Sequence, residues 1–471
     1  MAFSFQIRQR GSTVGREVVG GLTTFMAMSY ILFVQPAMLG KAHMDEGGVF
    51  MATCIASAIA CVLMGVLANY PIALAPGMGE NVFFVFTLCG AGAAGALLKW
   101  PEAMSLTVVT GVVFVLLARF GVRSMLLNAI PDALKSGIAA GIGLFIALIG
   151  FEWGNLIKPH DATLVAIADL HGNYVAALTL LGLAIILVLM ALRVHGAILL
   201  GILATTAATW AVGRIWNVEA VTYHGIVGMP HGIEVTARGF IDGFGSLWGK
   251  ITGQHAAEVL TLGFILLFMD VFDTVGTLVA VGSRANLMTK DGKLPAAERA
   301  LTADALGTIA GGCLGTSTVT SYIESITGVA AGARTGLAAV VAGLCMLAAL
   351  FFQPLVRMIG GGVSIGTTPW GDPILRYPMI APALIVVGAM MMRAMREVEW
   401  DDITEALPAF LAMVGMAFTF SIATGIAIGF ISYAFAKLIS GKARHCPAIV
   451  YVFAALFVLQ YAVGVLTGAM K

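Results

Sequence analysis

The chain has 471 residues, 59% of them hydrophobic and 11% charged, against roughly 45–50% apolar and about 25% charged in soluble domains, so it reads as a polytopic membrane protein. With 26 Lys+Arg against 25 Asp+Glu the formal net charge is +1, which gives no nucleic-acid-binding footprint. Cys54, Cys61, Cys89, Cys313, Cys345 and Cys446 fall mostly in apolar segments without pairing or metal-ligand spacing, so neither a disulfide framework nor a zinc site is implied, and no cofactor is expected.

The polar N-terminus carries Arg8, Arg10 and Arg16 and leads into a spanning-length segment with no small-residue cleavage site. It reads as an uncleaved first helix with a cytoplasmic N-terminus. A spanning-length window of about 20 residues then predicts segments near 18–38, 49–69, 79–91, 103–119, 134–151, 174–193 and 195–213. A polar, Gly-rich connector follows, and a second set lies near 256–280, 300–313, 320–332, 335–353, 378–395, 403–419 and 421–440, with one more apolar run at 447–467. Counted from an inside N-terminus, Arg119, Arg123, Lys135, Arg193, Arg284, Lys290, Lys293, Arg299, Arg393 and Arg396 fall on the inner side, as the positive-inside rule requires. Arg357 and Arg376 fall on the outer side, which leaves room for a miscounted hairpin in the second half.

The fold class expected is an all-α polytopic membrane protein with 7+7 inverted repeats. Residues 177–214 lie over residues 406–442 with matching Gly and Ala placements and a basic end, and an odd number of spans per half inverts the repeats. The expected organisation is a cytoplasmic tail at 1–15, a core domain from 16–133 and 256–355, a gate domain from 134–255 and 356–446, and an unassigned apolar segment at 447–471.

Third place in each half is taken by a short interrupted segment, YPIALAPGMGENVFFVFTL from Tyr70 and CLGTSTVTSYIESITGVAAG from Cys313. Each opens with extended residues, broken by Pro76, Gly77 and Gly79 in one and by a Thr/Ser run with Gly315 in the other, and continues as a short helix. Non-helical backbone at membrane depth is tolerated only where protein buries it or a wet cavity lines it, and paired broken segments point to a transporter's site.

Four intramembrane acids stand out: Glu80, Asp270, Asp273 and Glu324. An acidic residue at the centre of a spanning helix costs about 2.5–3.5 kcal/mol on insertion scales. Asp270 and Asp273 are three apart and share a helix face, while Asn81 and Glu324 follow the two breaks, so these groups can converge on one midplane pocket.

Residues 21–39 (GLTTFMAMSYILFVQPAML), 75–84 (APGMGENVFF), 269–278 (MDVFDTVGTL), 315–337 (GTSTVTSYIESITGVAAGARTGL) and 418–433 (FTFSIATGIAIGFISY) resemble the signature blocks of the AzgA-like purine permeases. These are a branch of the nucleobase:cation symporter 2 superfamily. The resemblance runs from about residue 5 to about 440 and departs from the pattern at Val82, where the family often has Ala. It implies fourteen spans in core and gate domains, and proton-coupled uptake of hypoxanthine, guanine or adenine across the inner or plasma membrane by elevator-like or rocking alternating access. It also implies purine contacts for Asn81, Asp270 and Glu324, a transport role for Asp273, and, from related folds, a homodimer through the gate domain.

Side-chain chemistry points the same way. A purine needs amide or carboxylate partners on its edge, and charge-assisted hydrogen bonds are about twice as strong as neutral ones. Asn81 both donates and accepts. Phe25, Phe83, Phe264, Phe268 and Phe272 are candidate stacking partners or ordinary helix packing. Glu80 and Thr318 are further candidates for substrate contact; the alternative for Glu80 is an ion pair, and for Thr318 satisfaction of strand backbone. Since none of the eight histidines lies mid-span, the coupling proton is placed on a carboxylate, Asp273, Asp270 or Glu324, with sodium as the second choice of ion. Asp270 is expected to face the pocket and Asp273 to sit a turn deeper. The rival on the same architecture is a sulfate- or bicarbonate-type anion transporter, which four acidic groups disfavour by repulsion. An intramembrane aspartyl protease fits poorly, because its two aspartates must come from separate helices.

Overall fold

The computed structural model describes residues 5–90, 97–119, 131–160, 163–216, 222–289, 294–367 and 373–466. Arg123, Lys290 and Lys293, three of the basic residues assigned to the inner side, lie outside them. Helices α1 (Val14–Met28), α2 (Ile31–Gly40) and α3 (Glu46–Leu63) are followed by strand β1 (Leu74–Pro76), short helix α4 (Met78–Val82) with a π-type continuation over Phe83–Leu88, and α5 (Trp100–Arg119). Then come α6 (Asp132–Trp153), hairpin β2 (Ile157–His160) and β3 (Leu164–Ile167), α7 (Tyr174–Ala191), α8 (Ala197–Trp216), α9 (Ile233–Thr236) and α10 (Gly239–Thr252). The second half holds α11 (Ala256–Arg284), α12 (Ala297–Leu314), β4 (Val319–Ser321), α13 (Ser325–Ala330), α14 (Gly336–Ala349) and α15 (Gln353–Gly360). Hairpin β5 (Val363–Thr367) and β6 (Pro373–Arg376), α16 (Ala381–Met391), α17 (Ile403–Thr419), α18 (Ile422–Ile439) and α19 (Ala448–Leu466) complete the chain. Among the described residues, nine helical segments are long and apolar enough to cross a membrane.

Local chemistry sets many boundaries. Thr13, Asp45, Asn173, Thr335, Asp402 and Ser421 each cap the helix they precede by accepting a backbone N–H. Gly315, with φ +101°, closes α12 in a left-handed turn that redirects the chain into β4. Spanning helices gain little from the hydrophobic effect within lipid and associate through close backbone approach. Gly65 illustrates this: a Cβ there would lie 2.5 Å from the Gly336 carbonyl.

Two packed groups result. In one, α1 packs on α14, α3 on α12 and α14, and α5 on α12, while in the other α6 packs on α16, α17 and α18, and α7 on α8 and α16. The two interrupted segments meet inside the first group. Strands β1 and β4 pair antiparallel with Leu74 opposite Ser321, Ala75 opposite Thr320 and Pro76 opposite Val319, so the expected extended pieces of spans 3 and 10 form one ladder. Their remaining backbone groups are also paired: Gly77 N–H donates to the Thr318 carbonyl at 3.1 Å, Tyr322 N–H to the Ala73 carbonyl at 2.9 Å, and Ala73 N–H to Ser325 Oγ at 3.1 Å. This satisfies the requirement that backbone at membrane depth be bonded.

Three features differ from the sequence expectation. The first span breaks between α1 and α2, and the connector read as polar and Gly-rich folds as α9 and the amphipathic α10, whose Leu247 face packs on α5 while Ile241, Phe244 and Trp248 stay exposed. The β2–β3 and β5–β6 hairpins were not anticipated. They lie at the end of the fold where Arg376 pairs with Glu152 at 2.7 Å and Lys41 stands over the Tyr377 and Trp153 rings, 4.8 and 5.6 Å from their centroids. Arg376 therefore sits at the same end as the C-terminus of α6, as the span count requires without an additional hairpin.

Candidate functional site

The site is built where α4 and α13 leave the paired strands. Asn81, in α4, is fully buried; its Oδ1 accepts from the Ser317 hydroxyl and its Nδ2 lies 3.9 Å from Met78 Sδ. Ser317 also receives Gln35 Nε2 at 3.2 Å, and Thr316 receives it at 2.9 Å, so a residue of α2 holds the Thr/Ser run in place. Glu80 is buried, with Oε2 turned back toward Gly77 and unpartnered. A Cβ at Gly77 would stand 2.1 Å from that oxygen, so glycine makes room for the carboxylate.

Glu324 starts α13 and is half-buried, its Oε1 accepting the Tyr30 hydroxyl at 3.0 Å. The Tyr30 and Tyr322 rings lie 6.4 Å apart, and Tyr322 donates to the Pro76 carbonyl at 2.6 Å, fixing β1 from the other repeat. Thr318 is buried with its hydroxyl unpartnered.

The two aspartates of α11 are placed conversely to the expectation. Asp270 is 2% exposed and turned into the scaffold, its Oδ2 accepting from Thr308 Oγ1 of α12 at 2.9 Å and its Oδ1 left unpartnered. Asp273 is exposed, and the exposure continues through Gly276, Val279 and Ser283 to the end of α11. Residues at these spacings share a helix face. A carboxylate facing lipid there would cost about 2.5–3.5 kcal/mol, which favours a water-facing side for Asp273.

A fifth acid, Asp304 of α12, is fully buried; Ser321 Oγ donates to its Oδ1 at 2.9 Å and its Oδ2 is unpartnered. Sequence reasoning missed it, although a mid-helix Asp in an apolar segment was the available signal. Glu80 lies in the field of Asp273 and Asp270, Asp273 in that of Glu324, and Asp304 in that of Asp273 and Glu80. Among the described residues no Lys or Arg forms an ion pair with any of the five, and no metal-holding group of His, Cys, Asp or Glu is present.

The aromatic candidates divide. Phe268 is buried in a cluster with Phe264 and Phe272 of its own helix and Phe430 of α18, at centroid distances of 6.0, 4.3 and 6.3 Å. Phe453 of α19 stacks on Phe264 at 4.1 Å. Phe453 also meets Phe430 of α18 at 5.9 Å, so this part of α19 packs against both α11 and α18. Phe83 is fully buried, and Phe25 on α1 is partly open.

A model described as the Permease family matches residues 15–428. The guanine/hypoxanthine permease PbuG of Bacillus subtilis is 41% identical over 466 residues, covering 97% of this chain and 98% of its own length. The adenine permease AdeP of Escherichia coli is 38% identical over 456 residues, 97% of this chain and 94% of its own. Among solved structures, the transmembrane domain of a cyanobacterial bicarbonate transporter, BicA, superposes with a TM-score of 0.61 at 12% identity, covering 87% of this chain and 97% of its own; that likeness concerns the fold, an inverted-repeat arrangement of core and gate.

Proposed function

Because the chain belongs to the Permease family, matching its model over residues 15–428, we propose that this multi-pass membrane transporter, which is not an enzyme, carries purine nucleobases, namely hypoxanthine, guanine or adenine. The observation that carries the reading is near-complete alignment with permeases for those bases, together with an uncharged amide and two accessible carboxyl groups where the broken spans meet. A purine edge offers N–H donors and lactam or amine groups, which Asn81 and Glu324 complement. We assign Asn81, Glu324 and Asp273 to the purine, with Thr318 and Phe25 at its margin. Asp270, Asp304 and Glu80 form the buried acidic group behind the β1–β4 ladder. A proton on this group removes an unpaired buried charge, which supports proton symport over sodium.

We read the exposed face along Asp273, Gly276, Val279 and Ser283 as lining a vestibule open to the cytoplasm, with the N-terminus inside. At the opposite end Lys41 over Tyr377 and Trp153 closes the space between the two groups. Alternating access then moves the core, with its rigid ladder, past the gate. An anion cargo is disfavoured, because five acidic groups would repel it.

Uptake of radiolabelled hypoxanthine into proteoliposomes, with guanine, adenine, sulfate and bicarbonate as competitors, tests the reading. Competition by purines and collapse with a protonophore are expected. Uptake displaced by sulfate or bicarbonate would sink it, and uphill uptake that survives the protonophore but stops without sodium would change the coupling ion.

A further inference from the structure

A second cavity, of about 400 Å³, lies away from the acidic site, at the end of the fold that carries the N-terminus, and its lining includes Gln9, Arg10, Tyr70, Asn286, Ala296 and Arg334. Its charge is opposite to that of the transport site. Arg10 Nη1 donates to the Asn69 carbonyl at 2.6 Å and to the Arg334 carbonyl at 3.1 Å, and Arg334 Nη1 donates to the carbonyls of Val329 and Ala333, each at 2.6 Å. These bonds to neutral carbonyls fix both guanidinium groups at the wall. Among the described residues neither has a carboxylate ion-pair partner. Glu17 acts on Arg10 from a distance, with its carboxylate held by the backbone N–H groups of Arg334 and Thr335 at 2.9 and 3.2 Å, so the cavity keeps a net positive wall of two guanidinium groups against one carboxylate. The wall is completed by Pro295 and Ala296 before the start of α12, where the Ala296 N–H donates to the Tyr70 hydroxyl at 2.9 Å and Glu298 stands in the first helical turn.

We propose that this cavity is a binding site for a phosphate-bearing anion, separate from the transport site and independent of which cargo that site carries. Guanidinium groups match phosphate oxygens in geometry and charge, and a volume of about 400 Å³ falls within the range of small-molecule sites. The place has a consequence for transport. Asn286 follows the end of α11, which bears Asp270 and Asp273, and Ala296 immediately precedes α12, which bears Asp304. An anion held here ties those two helix ends to Arg10 in the N-terminal segment and to Arg334 after α13. The phosphate has two sources, a soluble phosphorylated metabolite or the headgroup of an anionic lipid.

The test uses the full chain in phosphatidylcholine nanodiscs, with calorimetric titration of inorganic phosphate against chloride at equal ionic strength. Asn286→Asp places a negative charge at the rim, at a position with φ +56° that Asp tolerates as Asn does; Arg334→Gln removes one guanidinium. Saturable phosphate binding in the parent, weakened at least about tenfold in both variants, with hypoxanthine binding unchanged in Asn286→Asp, is the result expected. Competition by a purine nucleoside monophosphate identifies a soluble source, and competition only by nanodiscs containing phosphatidylglycerol identifies the lipid. No phosphate binding above chloride, or equal affinity in the parent and Asn286→Asp, overturns the proposal.

Discussion

Tyr30, at the break in the first span, donates a 3.0 Å hydrogen bond to Glu324, the acid that opens the helix of the second broken segment. The bond joins residues 294 apart and orients the one acid of that segment whose side chain is only half-buried. If Glu324 receives a purine N–H, Tyr30→Phe frees its carboxylate to rotate and leaves one lone pair unmatched. A hydrogen bond to a charged group contributes about 1.5–3 kcal/mol, so hypoxanthine affinity should fall roughly ten- to a hundredfold, and Glu324→Gln should lose binding altogether. Calorimetry on folded protein decides it; parent-like affinity in Glu324→Gln removes the residue from the site.

The converse placement of Asp270 and Asp273 gives each a different expected phenotype. Asp273→Asn alters the accessible face and should weaken purine binding. Asp270→Asn and Asp304→Asn act behind the ladder and should preserve binding and exchange of labelled purine while losing accumulation driven by a proton gradient. Exchange and accumulation assays on the same proteoliposomes separate the two. Lost binding in Asp270→Asn with intact binding in Asp273→Asn would restore the assignment suggested by family resemblance.

Close approach of α14 and the helical turn Met64–Ala68 that continues α3 predicts a packing phenotype. Gly65→Val puts a Cβ 2.5 Å from the Gly336 carbonyl and 2.8 Å from Val340 Cγ2, and overpacking of this kind costs about 1–3 kcal/mol. Thermal unfolding in detergent should show a lowered midpoint. An unchanged midpoint would mean that these helices are not in contact in the folded protein.

At the start of α17, partly exposed Asp402 caps the helix and accepts from Lys442 Nζ at 2.7 Å. The Lys442 bond, with those from the Thr404 side chain and backbone, holds its pKa well below the ordinary carboxylate range. A depressed folded-state pKa stabilises above the unfolded value of about 3.9 and loses that contribution as pH falls toward the folded value. Asp402→Ala should therefore lower the unfolding midpoint at pH 7, with the difference from the parent narrowing below about pH 4. A difference that is constant with pH would assign the effect to helix propensity instead.

Much of the site was legible because charge in an apolar run is conspicuous. Glu80, Asp270, Asp273 and Glu324 stood out in that way, and Pro76, Gly77 and Gly315 marked the two breaks. Asp304 escaped because the apolar window began at about residue 300, which put it near a presumed helix end, whereas α12 starts at Ala297 and carries it two turns inward. Tyr30, Tyr322 and Gln35 bring polar atoms to the site on side chains that leave a hydropathy window almost unchanged. The amphipathic α10 was hidden by Gly239, Gly243, Gly245 and Gly249, which weaken any helical signal. Which way Asp270 and Asp273 point could not be read from spacing, because neighbours three apart share a face whichever side of it turns to water.

The β1–β4 ladder also governs when the molecule can exist during its own synthesis. Pro76 and its hydrogen-bonding partner Tyr322 are 246 residues apart, so the ribosome makes α5 through α12 before β1 meets its mate. Through that interval the Leu74–Pro76 backbone waits in the membrane with one edge open, while Cys61 Sγ, 3.1 Å from the Leu74 N–H, is the partner already made. A nascent chain arrested before residue 315 should leave Cys61 reactive toward a membrane-permeant maleimide, and extension past α14, whose Gly343 packs on Cys61, should shield it. Assembly of the cargo site is thus a late event in translation, and either repeat alone is a scaffold with nothing to carry.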